Sequence, residues 1–162
     1  MSDAIPSDKA PVASHSGRAE AAEPDLPALQ KLLDKVVAPW VRQLKLVVRS
    51  AKPGEVQLAL PIAPLHVHGG GVLCGQTMMA AADTAMILAI STQLGGFRPM
   101  TTVQLQTSFL RPIAGSQTEP AGEAMVIARV LRAGKSLVFG EIELLDPQGR
   151  LAAHSTTTYA LL

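Results

Sequence analysis

The side chains able to do chemistry gather in one stretch, residues 65–96, which reads LHVHGGGVLCGQTMMAAADTAMILAISTQLGG. A Gly-rich turn carries His66 and His68, and Cys74 leads into residues 77–94, where Asp83 is the only charged side chain. That segment is Met, Ala, Ile and Leu on nearly every side, and a helix apolar all round is a buried helix, because a surface helix keeps a polar face. An unpartnered buried carboxylate is costly, so such a group is usually paired, protonated or functional. From mid-helix Asp83 cannot cap its own helix, which makes it the first candidate for a general base or a nucleophile.

His66 and His68 form an H-x-H pair that could hold a metal with Asp83 as third ligand. No further His, Cys or acid stands at ligand spacing, so no metal is expected. A loop histidine touching substrate or water fits better, His68 more than His66. Cys74 beside a histidine could form a nucleophilic pair; the simpler role is a small side chain filling a tight helix start. Thr102, early in the next apolar run, could orient water or Asp83, or be an ordinary strand threonine. His154 alternates into a strand face and is given no role.

Composition narrows the classes of partner. At 162 residues the chain has the length of one domain with a real core. A net charge of +1, no basic stripe and 3% aromatic residues argue against nucleic acid, whose binding needs clustered cations and stacking rings. One cysteine leaves no intramolecular disulfide. The N-terminal residues lack an apolar signal core and contain acids that a transit peptide avoids. The most hydrophobic run, 78–90, is too short to cross a bilayer and has Asp83 at its middle. The expectation is a cytoplasmic protein that does not engage a membrane.

The elements that must position these residues follow from period and punctuation. Residues 1–23, rich in Ala, Ser and Pro and including His15, read as a disordered tail, and 24–162 as one domain. Leu26, Leu29, Leu32, Leu33, Val36 and Val37 repeat as an amphipathic helix ending before Pro39. Residues 41–50 and 56–60 read as strands joined by a hairpin turn at Lys52-Pro53-Gly54-Glu55. Gly95-Gly96 ends the buried helix. From Thr102 the period becomes two, with Val103, Leu105, Thr107 and Phe109 on one face and Gln104, Gln106 and Ser108 on the other. Strands over 124–131, 137–145 and 151–159 follow, with hairpin turns at Ala133-Gly134-Lys135 and Asp146-Pro147-Gln148-Gly149, which predicts an antiparallel meander. The class is α+β, an antiparallel sheet of about six strands wrapped around a long buried helix.

That order, and the blocks GQTMMAAADTAM, TTVQLQTSFLRP and VLRAGKSLVFGEIELLDPQGRLAAHSTTTY, resemble the hotdog-fold acyl-CoA thioesterases of the phenylacetate-degradation (PaaI) type, over roughly residue 41 to the C-terminus. The resemblance implies hydrolysis of an acyl-CoA to free acid and CoA. Asp83 would be general base or nucleophile, and the Gly75 backbone amide would hold the thioester oxygen. The family usually opens its helix with His-Gly-Gly nine positions before the acid; here that place reads Cys74-Gly75-Gln76. The same alignment sets His68 where many relatives have Asn and Thr102 near a Ser or Thr, as positioning groups. Arg132 and Lys135 fall where relatives contact the nucleotide end of CoA. Met78 and Met79, adaptable in shape, would line the acyl chain together with a neighbouring subunit. No cofactor is implied beyond the CoA of the substrate. Two other readings stay open at this point: a hotdog enoyl-CoA hydratase or dehydratase using His68 and Asp83, and a non-catalytic acyl-CoA-binding protein.

Gly75 and Asp83, eight residues apart on one helix, are separated by about 12 Å along the axis. One thioester carbon cannot touch both, so the resemblance implies a homodimer, or a dimer-of-dimers tetramer, with sites shared between subunits.

Overall fold

The computed structural model describes residues 23–162. The tail expected over 1–23 thus lies, but for Glu23, outside the described residues, as does His15.

A 19-residue helix, α3 (Gly75–Gln93), is the element around which the rest is laid. Eleven of its side chains are buried, among them Ala81, Ala82, Ala85 and Ala89, whose small size brings the sheet close. Two of its buried hydroxyls are satisfied inside the helix: Thr84 donates to the Ala80 carbonyl and Ser91 to the Ile87 carbonyl, both at 2.8 Å. At the C-terminus Gly95 takes a left-handed φ of 71°, and Gly96 N–H donates to the Ser91 carbonyl at 2.9 Å. The Gly-Gly stop read from the sequence is therefore a Schellman ending.

Before α3 come α1 (Leu26–Val36), a short α2 (Pro39–Arg42), β1 (Val47–Lys52), β2 (Glu55–Pro61), a 3₁₀ turn (Pro64–His66) and the two-residue strands β3 (Val67–His68) and β4 (Val72–Leu73). The first long strand begins later than the sequence suggests. Pro39 starts a helical turn that takes Val41 with it, and Lys45, at a φ of 51°, turns the chain before Val47. After α3 come β5 (Met100–Phe109), β6 (Glu123–Ala133), β7 (Leu137–Leu145) and β8 (Leu151–Leu161).

The six long strands form one antiparallel sheet in the order β1-β2-β6-β7-β8-β5. The predicted meander holds for β6, β7 and β8, but β5 does not sit beside β6; it pairs with β8 at the far edge. The intervening residues 110–122 cross the end of the sheet and tie down the Gly-rich turn, with Leu73 N–H on the Ile113 carbonyl and Gly115 N–H on the Gly71 carbonyl, each at 2.9 Å. The inner face of the sheet, with Leu58, Leu60, Val126, Ile142 and Leu144, closes on α3. Gly140 in β7 is needed there, since a Cβ would collide with the Met86 side chain and the Arg129 carbonyl. The outer face carries an ion-pair cluster, with Arg129 paired to Glu143 at 2.6 Å and Glu55 at 3.2 Å, and His154 beside Glu141.

Strand β5 also departs from simple alternation. Its partner register skips between Thr102 and Gln104, so Val103 is an extra, bulged residue. Thr102, opposite Tyr159, thereby shares the helix-facing side with Leu105 and Thr107. Strict alternation would put Thr102 on the other face. Nor is the strand half-buried within one chain: Val103 is 60% and Phe109 50% exposed.

Candidate active site

Asp83 sits in the third turn of α3, part-buried, and two hydroxyls reach it. Thr102 Oγ1 donates to Asp83 Oδ1 at 2.9 Å. The Tyr159 hydroxyl lies against the same Oδ1 and is also 2.9 Å from the Asp83 backbone carbonyl. Thr102 and Tyr159 are register partners on β5 and β8, so one cross-strand pair holds one carboxylate oxygen. Asp83 Oδ2 has no hydrogen-bond partner, and no Lys, Arg or His forms an ion pair with Asp83, among the described residues. Tyr159 is 1% exposed, and burial, followed by the neighbouring Asp83 charge, drives its phenol far above the ordinary range, so it keeps its proton.

The second candidate group lies at the start of α3. Cys74 is the N-cap but supplies no side-chain cap, and the first amide tied back to it is that of Met78, 3.2 Å from the Cys74 carbonyl. The Gly75, Gln76 and Thr77 amides come before that bond, at the positive end of a long helix, where a developing anion is favoured. The Phe109 ring packs against Gly75: a Cβ there would stand 3.1 Å from the ring. Strand β5 therefore touches both candidate groups of the chain, Asp83 through Thr102 and Gly75 through Phe109.

The remaining candidates divide. His68 is exposed in β3 and accepts the Gly70 N–H at Nδ1, 2.9 Å, which makes the neutral ring a donor at Nε2. His66 is buried, its Nδ1 toward the Pro61 carbonyl. The two rings are thus differently placed, and no group of three His, Cys, Asp or Glu able to hold a metal occurs among the described residues. Cys74 is part-buried and Gln76 exposed. Met79 stays partly open, whereas Met78, expected beside the acyl chain, is packed in the core. Arg132 and Lys135 are exposed on the β6–β7 hairpin. Register sets Val138, just past that turn, opposite Tyr159, so the two bases lie toward the Asp83 end of the sheet.

Tyr159 and Phe109 are the contacts missed by the sequence reading. The signal for Tyr159 was available only with β5 placed beside β8; with β5 beside β6, Tyr159 is a strand-end residue far from Asp83.

The sequence profile of the thioesterase superfamily matches residues 66–153, more than half of the chain, and the chain belongs to that superfamily. Similar curated proteins include "Putative esterase TV1331" of Thermoplasma volcanium, 31% identical over 110 residues that cover 68% of this chain and 77% of that one. Among solved structures, a conserved protein of Pseudomonas aeruginosa, PA5202, is 28% identical and superposes with a TM-score of 0.70 over 80% of this chain and 98% of that one. The Escherichia coli PaaI protein from the phenylacetic acid degradation operon, 19% identical, gives 0.70 over 85% and 96%. The fold is the hotdog fold, and the activity class is hydrolysis of a thioester or ester. No helix among the described residues is long and apolar enough to cross a membrane.

Proposed function

We propose that the protein is an acyl-CoA thioesterase acting through Asp83 and the Gly75 amide in sites shared by two protomers. The observation that carries this reading is the Asp83 carboxylate, with one oxygen held by Thr102 and Tyr159 and the other unengaged among the described residues. A thioester needs a polarised carbonyl and an activated attacker, which a helix-end amide and one carboxylate supply without a triad. Asp83 Oδ2 either takes a proton from the attacking water or itself bonds the acyl carbon; in both cases the C–S bond breaks and the thiolate of CoA leaves, and in the second water then cleaves the acyl–Asp83 anhydride, releasing the acid and restoring the carboxylate. His68, Cys74, Gln76 and Met79 would line the substrate, and Arg132 and Lys135 would meet the CoA nucleotide.

Edge strand β5 supports the dimer. It is ten residues long, pairs on one side only among the described residues, and exposes Val103 and Phe109 beside the exposed Leu110. An apolar edge left open is a liability that a second copy removes. Two such edges meeting antiparallel about a two-fold axis would set the Phe109–Gly75 end of one protomer beside the Thr102–Asp83 end of the other. That is the arrangement the 12 Å separation along α3 demands.

The test is release of free thiol from a panel of aromatic and aliphatic acyl-CoAs. Turnover of at least one supports the proposal. Binding of acyl-CoAs without turnover of any would leave a binding protein and contradict it.

A further inference from the structure

Tyr159 takes part in the Asp83 site in a way that its place in a β-strand does not require. A buried tyrosine needs one acceptor for its hydroxyl. This one has two, both on the same residue: the Asp83 side-chain oxygen Oδ1 and the Asp83 backbone carbonyl. The phenol carries a single proton and so serves one of them at a time.

We propose that Tyr159 is a positioning residue for Asp83, fixing Oδ1 so that Oδ2 is the reacting oxygen, and that its proton follows the charge of Asp83 between carboxylate and carbonyl. The proposal rests on the reading of Asp83 as base or nucleophile. While Asp83 is ionised, the phenol donates to Oδ1, because a charge-assisted bond is the stronger of the two. Thr102 donates to the same oxygen, and among the described residues no donor reaches Oδ2. When Oδ2 takes a proton, or bonds the acyl carbon, the negative charge on Asp83 is lost and the Oδ1 bond weakens. The phenol O–H then turns to the carbonyl 2.9 Å away, so the buried hydroxyl stays satisfied in both states.

The chain contains one tyrosine, which makes the test clean. Tyr159→Phe keeps the buried ring and removes only the hydroxyl. The expected result is a fall in kcat of about ten- to hundredfold with KM little changed. The acid limb of the kcat/KM profile should also move to higher pH, since the ionised carboxylate has lost a donor. Replacing the single tyrosine biosynthetically by 3-fluorotyrosine makes the phenol a stronger donor without removing it, and should move the acid limb the other way. This second protein keeps the proposal testable if the Phe variant folds poorly. A purely structural tyrosine would scale activity equally at every pH. Unmoved profiles in folded Tyr159→Phe and fluorotyrosine proteins, alongside an inactive Asp83→Asn, would overturn the role of Tyr159 alone. An active Asp83→Asn would instead remove the reading on which it rests.

Discussion

Thr102 Oγ1 reaches Asp83 Oδ1 at 2.9 Å only because Val103 is bulged out of the β5–β8 ladder. The bulge re-aims one side chain onto the helix, which is a common use of bulges next to sites. Thr102→Val is nearly isosteric and removes that donor. We expect a fall in kcat of roughly tenfold or more, the worth of a hydrogen bond to a charged group, with a melting temperature close to wild type. Steady-state kinetics beside a thermal melt separate the two; full activity would show that Thr102 is only a strand residue.

The Phe109 ring crowds the place a side chain at Gly75 would take. A Cβ would lie 3.1 Å from the ring, so Gly75→Val forces either the ring or the helix start to shift, which costs about 1–3 kcal/mol. Phe109→Ala in the same chain should recover part of that stability and little of the activity, because Val still crowds the amide. A double-mutant melt with no coupling between the two positions would contradict the contact.

Much of this architecture is legible in the sequence because it rests on local period and punctuation. The apolar-all-round run, the Gly-Gly stop and the two hairpin turns each state their own geometry. The neighbour of β5 does not follow from such signals. Pairing of β5 with β8 spans the whole C-terminal half, and nothing local in residues 100–109 names the partner strand. The same gap hid Tyr159, whose role exists only across that pairing. Asp83 and Thr102 were legible as residue types in the right order, but the bulge that joins them breaks the alternation that defined the strand.

Alkaline pH provides a test of the buried phenol. Its folded-state pKa is raised above the ordinary 10.0, by burial first and by Asp83 second. The stabilisation is therefore present below pH 10 and is lost as pH rises further, because the unfolded chain ionises and the folded one does not. With a single tyrosine, tyrosinate absorbance should appear only together with the loss of far-UV circular dichroism. Tyrosinate forming near pH 10 in the folded protein would contradict the burial.

The proposed sharing of sites makes a quantitative prediction. A hybrid dimer of Asp83→Asn and Gly75→Val chains has one site with both groups intact and one with neither. Equal mixing with random exchange should give about a quarter of wild-type activity from two inactive proteins. Refolded mixtures with demonstrated exchange and no recovery would place both groups of each site in one chain.

The most direct measurement is thiol release by Asp83→Asn on the best acyl-CoA of the panel. The amide keeps the shape of the side chain and removes the base, so the protein should melt as wild type while kcat falls by about 10²–10⁴, and further if Asp83 is the nucleophile. Hydrolysis at near the wild-type rate by folded Asp83→Asn would contradict the assignment of Asp83 as the catalytic carboxylate.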